Sequence, residues 1–350
     1  MSSPAGPHYA DDADCLAGLR IVDLTRLLPG PLATLRLAQW GAEVIKIEDP
    51  GEGDGARALW RSAAQERSGE PGPFFRELNA GKQLRRIDLH SEAGRAELLE
   101  LVREADALVE GFRPGVMDRL GLGWDTLSAV NPRLVMVSIS GYGQQGPWAQ
   151  RAGHDINYIA MAGLLQQIAT SKGEPALPNF QIGDLLGGTQ AALSALLAAL
   201  LGAQRSGRGR HIDISMSHEL LRHQVVLRAG LAARGELPPP GRDLLSGGAP
   251  CYGLYRCGDG RYLALGALEL KFWRNFCTAL ARPDWVQQHW SLGQAPGGAA
   301  ALALRDEVEA LLITRPLAHW LNLLEAADAC VTPVLSLDEA LAHPLFADES

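Results

Sequence analysis

The chain has 350 residues, of which 47% are hydrophobic and 21% are charged, and its formal net charge at pH 7 is −8. This composition is close to the average of soluble globular proteins and excludes a disordered or fibrous chain. The acidic balance argues against a nucleic-acid backbone as the main partner, although a local basic cluster can still hold a small phosphate-bearing ligand. At about 150 residues per domain, the length predicts one large domain or two moderate ones.

Cysteine usage and the N-terminal segment bear on the cellular compartment. The five cysteines include no Cys-x-x-Cys pair. An odd count without this spacing predicts reduced thiols in a cytoplasmic protein, with neither a disulfide framework nor a zinc site. The N-terminal segment is polar and acidic and shows no basic region followed by an apolar one, so no secretory signal is visible. We expect residues 1–16 to be a flexible leader.

Residues 17–234 alternate between strand-like and helix-like patterns. Runs rich in β-branched residues lie at 18–25 and 42–48, with helical spacing between them at 31–40, and the alternation continues to Ile139. Because parallel strands need a crossover helix, we predict a large α/β domain with a doubly wound, Rossmann-like parallel sheet and ligands at the carboxyl ends of its strands. No Gly-x-Gly-x-x-Gly follows the first strand, so the sequence does not support a nicotinamide or flavin cofactor.

A long apolar run at residues 185–203 carries no charge and has the length of a membrane span. Small and polar residues dilute the run, and a strand-like segment follows at 211–215, so we predict a buried central helix and no membrane contact. The next helical pattern runs from Met216 to about Arg234. The Pro-rich segment at 236–241 then marks the predicted domain boundary.

Residues 235–326 predict a smaller α+β domain. Two strand patterns surround the turn Gly258-Asp-Gly260. Helical patterns follow at 270–280, 302–313 and 317–327. Strand character returns at 329–335, and we expect the segment 327–350 to run back toward the large domain.

Three titratable residues lie at the edges of predicted elements. His154 and Asp155 stand side by side after a glycine, and Asp184 precedes the long apolar run. Catalytic groups tend to be found at such element ends, since the backbone there can direct side chains into a cleft. Two structural alternatives stay open, namely that Asp184 is the N-cap of its helix and that His154 is a hydrogen-bonded core residue.

Motifs spread over nearly all of the chain from Gly18 onward resemble the class III CoA-transferase superfamily (CaiB/BaiF type). Gly153-His-Asp-Ile-Asn-Tyr158 is similar to the α-methylacyl-CoA racemase branch in particular, because the transferases usually carry a different sequence there. The other matching segments include Gly18-Leu-Arg-Ile-Val-Asp-Leu-Thr25, Gly41-Ala-Glu-Val-Ile-Lys-Ile47, Gly111-Phe-Arg-Pro-Gly-Val116, Asp118-Arg-Leu-Gly121, Gly141-Tyr-Gly-Gln-Gln-Gly-Pro147, Gly183-Asp184 and Asp328-Ala-Cys-Val-Thr-Pro-Val334.

The resemblance implies racemisation of 2-methylacyl-CoA thioesters, in acyl-CoA and fatty acid metabolism. It implies His154 with Glu269 as the acid–base pair on one face of the α-carbon, and Asp184 with Asp155 on the other. CoA then enters as part of the substrate, with no metal and no tightly bound cofactor. The implied partners are the acyl-CoA and a second copy of the chain in an interlocked homodimer, with no nucleic acid and no membrane.

The resemblance also implies how CoA is held. Arg119 matches the family arginine that meets the CoA phosphates, and a guanidinium suits phosphate geometrically. Arg113, Lys46 and Tyr158 are further candidates for CoA contacts. Without the surrounding motif, Arg119 would be interpreted as a solvated surface charge. Asp49 is a departure from the racemase relatives, which can present an arginine at this position. We therefore expect some of the contacts that bind CoA to be lost or moved to other residues.

Two other functions also fit these motifs. In a CoA-transferase, Asp184 would attack the thioester and carry the acyl group as a mixed anhydride, with CoA passing to a free acid. His154 discriminates, since racemisation needs a second proton-handling group and transfer does not. A CoA-binding protein without activity is the third hypothesis, motivated by Asp49 and by the end of the chain at Ser350, where relatives usually continue.

Overall fold

The computed structural model describes residues 14–169 and 173–346. Most of the expected leader, residues 1–13, lies outside the described residues, as do residues 347–350. The described chain divides into two compact units. The larger contains residues 14–165 and 177–225, and the smaller contains residues 166–169, 173–176 and 226–346.

The larger unit is built on a parallel six-stranded sheet with the strand order β3-β2-β1-β4-β5-β6. Every neighbouring pair of strands is parallel, which confirms the predicted doubly wound sheet. The strands are β1 (Arg20–Leu24), β2 (Glu43–Glu48), β3 (Gln83–Arg86), β4 (Ala107–Glu110), β5 (Val135–Ser140) and β6 (Arg210–Ser215).

Helices connect these strands and cover both faces of the sheet. The helices before the long central helix are α1 (Pro29–Gln39), α2 (Ala63–Ser68), α3 (Pro73–Leu78), α4 (Glu92–Arg103), α5 (Val116–Arg119), α6 (Trp124–Val130), α7 (Asp155–Met161) and α8 (Leu164–Gln167). A π-helical segment, Gly183–Gln190, continues into α9 (Ala191–Ser206), and α10 (Met216–His223) follows β6. The next helix, α11 (Val225–Arg234), belongs to the smaller unit from residue 226 onward.

The pleat of the strands produces two separate hydrophobic cores in the larger unit. On β1, Ile21 packs into one core with Val109 and Val137, whereas the next residue, Val22, packs into the other with Leu108. Successive side chains of a strand point to opposite faces, so a strand covered on both faces is apolar along its whole length. This burial on both faces explains the β-branched runs from which the strands were predicted.

The long apolar helix belongs to the first of these cores. Gly183–Ser206 is long and apolar enough to cross a membrane by composition. Six α9 residues are buried in the same core as β1, β4 and β5: Ala192, Leu193, Leu196, Ala199, Leu200 and Ala203. The predicted buried central helix is therefore confirmed.

The smaller unit contains an antiparallel sheet in the order β7-β8-β9, formed by β7 (Tyr252–Arg256), β8 (Tyr262–Gly266) and β9 (Val331–Pro333). Its helices after β8 are α12 (Leu270–Ala279), α13 (Ala299–Leu312), α14 (Leu317–Leu324) and α15 (Leu337–Leu341). β9 pairs with β8, so this part of the expected return segment belongs to the smaller sheet. The tryptophans Trp273 and Trp285 are fully buried in the core of this unit.

The helix predicted from Met216 to Arg234 is two helices. α10 ends at His223, and the backbone of Gln224 leaves the helical region with φ −76° and ψ 44°. The Gln224 side chain donates to the carbonyl of Ala162 at 2.7 Å, which holds the break in place. The chain passes into the smaller unit at residue 226, whereas the sequence placed the boundary at 235.

Candidate active site

The carboxyl ends of β1, β4 and β5 open into a cavity of about 570 Å³. The strand order reverses between β1 and β4, and in doubly wound sheets ligands bind at this switch point. Residues directly after the strands line the cavity, among them Thr25, Gly111 and Gly141. His154 and Asp184 line the same cavity, so the fold brings together two of the predicted catalytic residues.

His154 immediately precedes α7, with an extended backbone. Its main-chain N–H donates to Oδ1 of Asn157 at 3.0 Å, which fixes the start of the helix. The residue is exposed. The interpretation of His154 as a hydrogen-bonded core residue is therefore wrong, and His154 is one of the residues that line the cavity.

Asp184 is the second residue of the π-helical segment, and Ile182 is the N-cap. Asp184 therefore lies inside the helical segment and not at its N-cap, so the N-cap interpretation of Asp184 is wrong. The contact runs the other way, because the main-chain N–H of Asp184 donates to Oδ1 of Asp155 at 3.0 Å. Asp155 therefore holds the start of the helix that carries Asp184.

The environment of Asp184 changes its acidity. Burial, and to a smaller extent the charge of Asp155, raises the pKa of the Asp184 carboxyl from 3.8 to about 6. A carboxyl with such a pKa can both accept and donate a proton near neutral pH, which is the requirement for general acid–base work.

Tyr158 lines the same cavity and is not available as a base. Burial first, and then the Asp184 carboxyl, raises the pKa of Tyr158 to about 12. The hydroxyl donates to the carbonyl of Gly153, and the ring meets Tyr142 edge-on at 5.4 Å between centroids. Tyr158 is thus a neutral donor that fixes the segment before His154, and its ring lines the cavity.

Glycines allow the close packing at the start of the long helix. A Cβ on Gly183 would lie 2.8 Å from Asp155 Oδ1, inside the contact distance of real side chains. A Cβ on Gly188 would lie 2.6 Å from the Pro29 side chain and 3.0 Å from Met216 Sδ. The Gly-rich sequence 183–188 is therefore what lets Asp184 approach both Asp155 and the cavity.

Three arginines line the cavity: Arg26, Arg113 and Arg151. Arg26 pairs with Asp49 at 3.1 Å, and its guanidinium lies 5.7 Å from the centre of the Phe112 ring. Asp49, which stands where racemase relatives can present an arginine, thus supplies a carboxylate that pairs with Arg26 in the cavity wall. These cations make the cavity suited to an anionic ligand.

Arg119 lies outside this cavity. It lines a neighbouring cavity of about 480 Å³, and Arg113 and Pro114 line both. The neighbouring cavity also contains Glu110, whose pKa burial raises from 4.5 to about 7, and His211, whose Nε2 lies 2.8 Å from Ser138 Oγ.

Two further predicted residues, Lys46 and Glu269, are not among the residues that line the cavity. Lys46 is fully buried, and its ammonium donates to the carbonyl of Thr25 at 2.6 Å and to Asp54 at 2.9 Å. This burial argues against the predicted contact with CoA. Glu269 lies in the smaller unit, directly before α12, and its pairing with His154 stays a prediction.

The sequence profile of CoA-transferase family III matches residues 16–350. The chain belongs to CoA-transferase family III. The family resemblance inferred from the motifs is thereby confirmed.

Racemases and transferases both occur among the family III relatives. Human alpha-methylacyl-CoA racemase is 32% identical over 333 residues, covering 94% of this chain and 80% of that protein. Acetyl-CoA:oxalate CoA-transferase of Acetobacter aceti is 33% identical over 347 residues, covering 98% and 85%. The crystal structure of a CaiB/BaiF family protein from Brucella suis matches with a TM-score of 0.80 at 27% identity, covering 96% of this chain and 88% of that chain. The family III enzymes use CoA thioesters, and identity at this level is shared between the two reaction classes.

Two residues of this candidate site were not predicted from the sequence. Arg26 and Glu110 lie at the carboxyl ends of β1 and β4, on either side of the switch point. Their position gives the signal that could have found them, since ligands of doubly wound sheets bind beyond these strand ends. No motif marked either residue as a ligand or as a titrating group.

Proposed function

We propose that this family III enzyme racemises 2-methylacyl-CoA thioesters by taking the α-proton on one face and returning it on the other. The observation that carries the proposal is that His154 and Asp184, from two separate segments, line one cavity at the switch point of the sheet. Inversion of a carbon acid requires two such groups, one acting as base and the other as acid. Transfer of CoA requires only one of them.

The two groups are suited to opposite roles in this reaction. Asp184, with a pKa of about 6, is ionised in part near neutral pH and can return the proton that it takes. His154 supplies an imidazole, the side chain that exchanges protons most readily in this range. In the proposal Asp155 serves Asp184 on one face of the α-carbon, and Glu269 serves His154 on the other.

The enolate that forms after proton removal needs donors at the thioester oxygen. The main-chain N–H of Asp184 is not free for this role, because Asp155 accepts its hydrogen bond. The main-chain N–H of Leu185 is bonded as well, to the carbonyl of Gln181 at 2.9 Å. The positive end of the helix dipole is therefore the proposed source of stabilisation for the negative charge.

We propose that arginines of the two cavities bind the CoA moiety. Arg113 lines both cavities, whereas Arg119 lines only the neighbouring one. CoA phosphates that extend from the thioester past Arg113 would reach Arg119. We assign Arg119 and Arg113 to the phosphates, with CoA as part of the substrate and with no tightly bound cofactor.

We further propose that the enzyme acts as an interlocked homodimer, which follows from the family motifs, and that it is cytoplasmic, which follows from its cysteine usage. Subunits that are threaded through each other separate only when the fold opens, so dissociation should track unfolding and not dilution. Light scattering over a concentration series tests this, and a folded monomer at low concentration would contradict it.

A CoA-transferase is the second candidate, favoured by the 33% identity to a transferase acting on acetyl-CoA and oxalate. The carboxylate of Asp184 would attack the thioester carbonyl, the C–S bond would break, and the acyl group would stay on Asp184 as a mixed anhydride while the CoA thiolate leaves. The CoA thiolate would next attack the Asp184 carbonyl of this anhydride, which releases the first acid and leaves CoA on Asp184 as a thioester. The acceptor carboxylate would attack that thioester and expel the thiolate to form a second anhydride. Attack of the thiolate on the acceptor carbonyl would then give the new CoA thioester and free Asp184.

The test is the configuration of a single-enantiomer 2-methylacyl-CoA that is incubated with the enzyme and no acceptor acid. Racemisation predicts conversion to a mixture of both enantiomers, which chiral chromatography of the released acid detects. A configuration that stays unchanged, together with new thioester formed when an acceptor acid is added, would support the transferase. A thioester that binds and undergoes neither reaction would support a binding protein without activity.

A further inference from the structure

A buried ion pair lies behind the wall of the active-site cavity. Lys46 Nζ and Asp54 Oδ2 are 2.9 Å apart, and both side chains have no exposed surface. Removing two charges from water costs free energy, which is recovered only where the pair makes further hydrogen bonds. Neither residue lines the cavity, so the purpose of the pair has to be sought in the groups that it binds.

The pair binds main-chain groups on both sides of Arg26. Lys46 Nζ donates to the carbonyl of Thr25 at 2.6 Å. Asp54 Oδ1 accepts from the main-chain N–H of Leu27 at 3.0 Å. The backbone immediately before and after Arg26 is therefore attached to one buried pair.

The backbone that the pair holds is strained. Leu27 has φ 64°, in the left-handed region that a residue with a Cβ rarely adopts. Such a conformation persists only where the surroundings enforce it, and it is often found at functional sites. The Leu27 side chain is 42% exposed, so packing of that side chain does not account for the conformation.

The strained segment forms part of the cavity wall, since Thr25, Arg26 and Leu27 all line the cavity. Thr25 is held a second time, because its main-chain N–H donates to Asp23 Oδ1 at 2.9 Å. The residue that extends from this fixed segment is Arg26, a cation suited to bidentate contact with phosphate or carboxylate.

We propose that Lys46 and Asp54 are positioning residues, which hold residues 25–27 in the strained shape that presents Arg26 to an anionic part of the CoA ester. The identity of the ligand rests on the proposed function, whereas the holding of the loop does not. The two parts can therefore be tested separately.

Two double variants test the proposal. Lys46→Met with Asp54→Asn removes both charges and the bond to Thr25, and the amide oxygen can still accept from Leu27. Lys46→Met with Asp54→Ser also removes the acceptor for Leu27, because the serine side chain is shorter, while serine can still cap the turn that begins at Gly55. If the serine variant does not fold, the asparagine variant carries the test with the smaller effect.

Hydrogen exchange of the peptide that contains residues 25–27 is measured first, without ligand. We expect exchange to be faster by about tenfold or more in the serine variant and by less in the asparagine variant, because the loop opens locally. With a 2-methylacyl-CoA as substrate, KM should rise by about tenfold while kcat changes little, since a binding contact is lost and the acid–base groups are untouched.

The control replaces a neighbouring pair on the same two segments, Glu48→Gln with Arg57→Met. Arg57 Nη2 lies 2.6 Å from Glu48 Oε2, and within the described residues neither side chain bonds to residues 25–27. Exchange and KM should both be unchanged in this control.

Each outcome decides one part of the proposal. Unchanged exchange in both test variants would overturn the holding role. Faster exchange with an unchanged KM in an active enzyme would overturn the presentation of Arg26. A wild-type enzyme that turns over no CoA ester would refute the proposed function and the assigned ligand, while the exchange data would still decide whether the pair holds the loop.

Discussion

Asp155 Oδ1 accepts a hydrogen bond at 3.0 Å from the main-chain N–H of Asp184, which lies on a different helix. The residue after His154 therefore fixes the position of the second predicted catalytic group. Its charge also helps to raise the pKa of Asp184, although burial is the larger cause. The Asp155 side chain thus affects both the relative position of the two segments and the pKa of Asp184.

Asp155→Asn separates these two effects. The amide oxygen can still accept from the Asp184 N–H, but the negative charge is gone, so the pKa of Asp184 should fall. The acidic limb of the pH–rate profile should accordingly move to lower pH. A limb that stays in place or moves to higher pH would contradict the contribution of Asp155, and Asp155→Ala, which also removes the acceptor, should in addition cost about 1.5–3 kcal/mol of stability.

Asp184→Asn should stabilise the protein at neutral and alkaline pH. Between pH 3.8 and about 6 the folded state holds a proton that the unfolded state has lost, so the contribution of Asp184 to stability falls as the pH rises through this window. The substitution should raise the free energy of unfolding by at most about 3 kcal/mol above the window and by nothing below it. Urea unfolding at several pH values measures this, with Asp306→Asn on the exposed face of α13 as the control.

Gly183→Ala should lower activity more than stability. The new Cβ would lie 2.8 Å from Asp155 Oδ1, so the carboxylate must move and release the Asp184 N–H. The lost hydrogen bond to a charged group costs about 1.5–3 kcal/mol, and the better helix propensity of alanine offsets up to about 1 kcal/mol. The displaced acid–base group should lower the rate by up to about 10²-fold.

The matched control for this glycine is Gly266→Ala, where a Cβ would meet only Cys330, at 3.8 Å or more. Thermal unfolding and initial rates are measured for both variants. A large fall in the melting temperature of Gly183→Ala with an unchanged rate per folded molecule would show that the contact is structural only.

Arg119→Ala should weaken the binding of CoA esters by about 1.5–3 kcal/mol, the range for a hydrogen bond to a charged group. Calorimetry at fixed salt measures the affinity. Arg103→Ala, which removes an exposed arginine that pairs with Glu100 on the same helix, should leave the affinity unchanged. Equal affinities of the wild type and Arg119→Ala would mean that Arg119 is a solvated surface charge and does not bind CoA.

Local patterns predicted much of the fold, because buried parallel strands are apolar along their whole length and leave clear β-branched runs. The sequence also brought His154, Asp155 and Asp184 into one hypothesis through their motifs. It did not show that Asp155 binds the main chain of Asp184, since that contact joins segments separated by 29 positions. Lys46 was predicted to contact the ligand, because the sequence around a lysine does not show whether its side chain is buried against a carboxylate such as that of Asp54.

The central claim is that the enzyme removes and returns the α-proton of a CoA thioester. The most direct measurement is mass spectrometry of a 2-methylacyl-CoA after incubation with the wild-type enzyme in heavy water, with no acceptor acid present. The account predicts one solvent deuterium at the α-carbon of both enantiomers. It predicts loss of inversion in His154→Ala and in Asp184→Asn, by about 10²–10⁴-fold, with residual exchange from a different enantiomer in each. A wild-type enzyme that incorporates no deuterium, yet exchanges labelled CoA between a thioester and a free acid, would contradict the account.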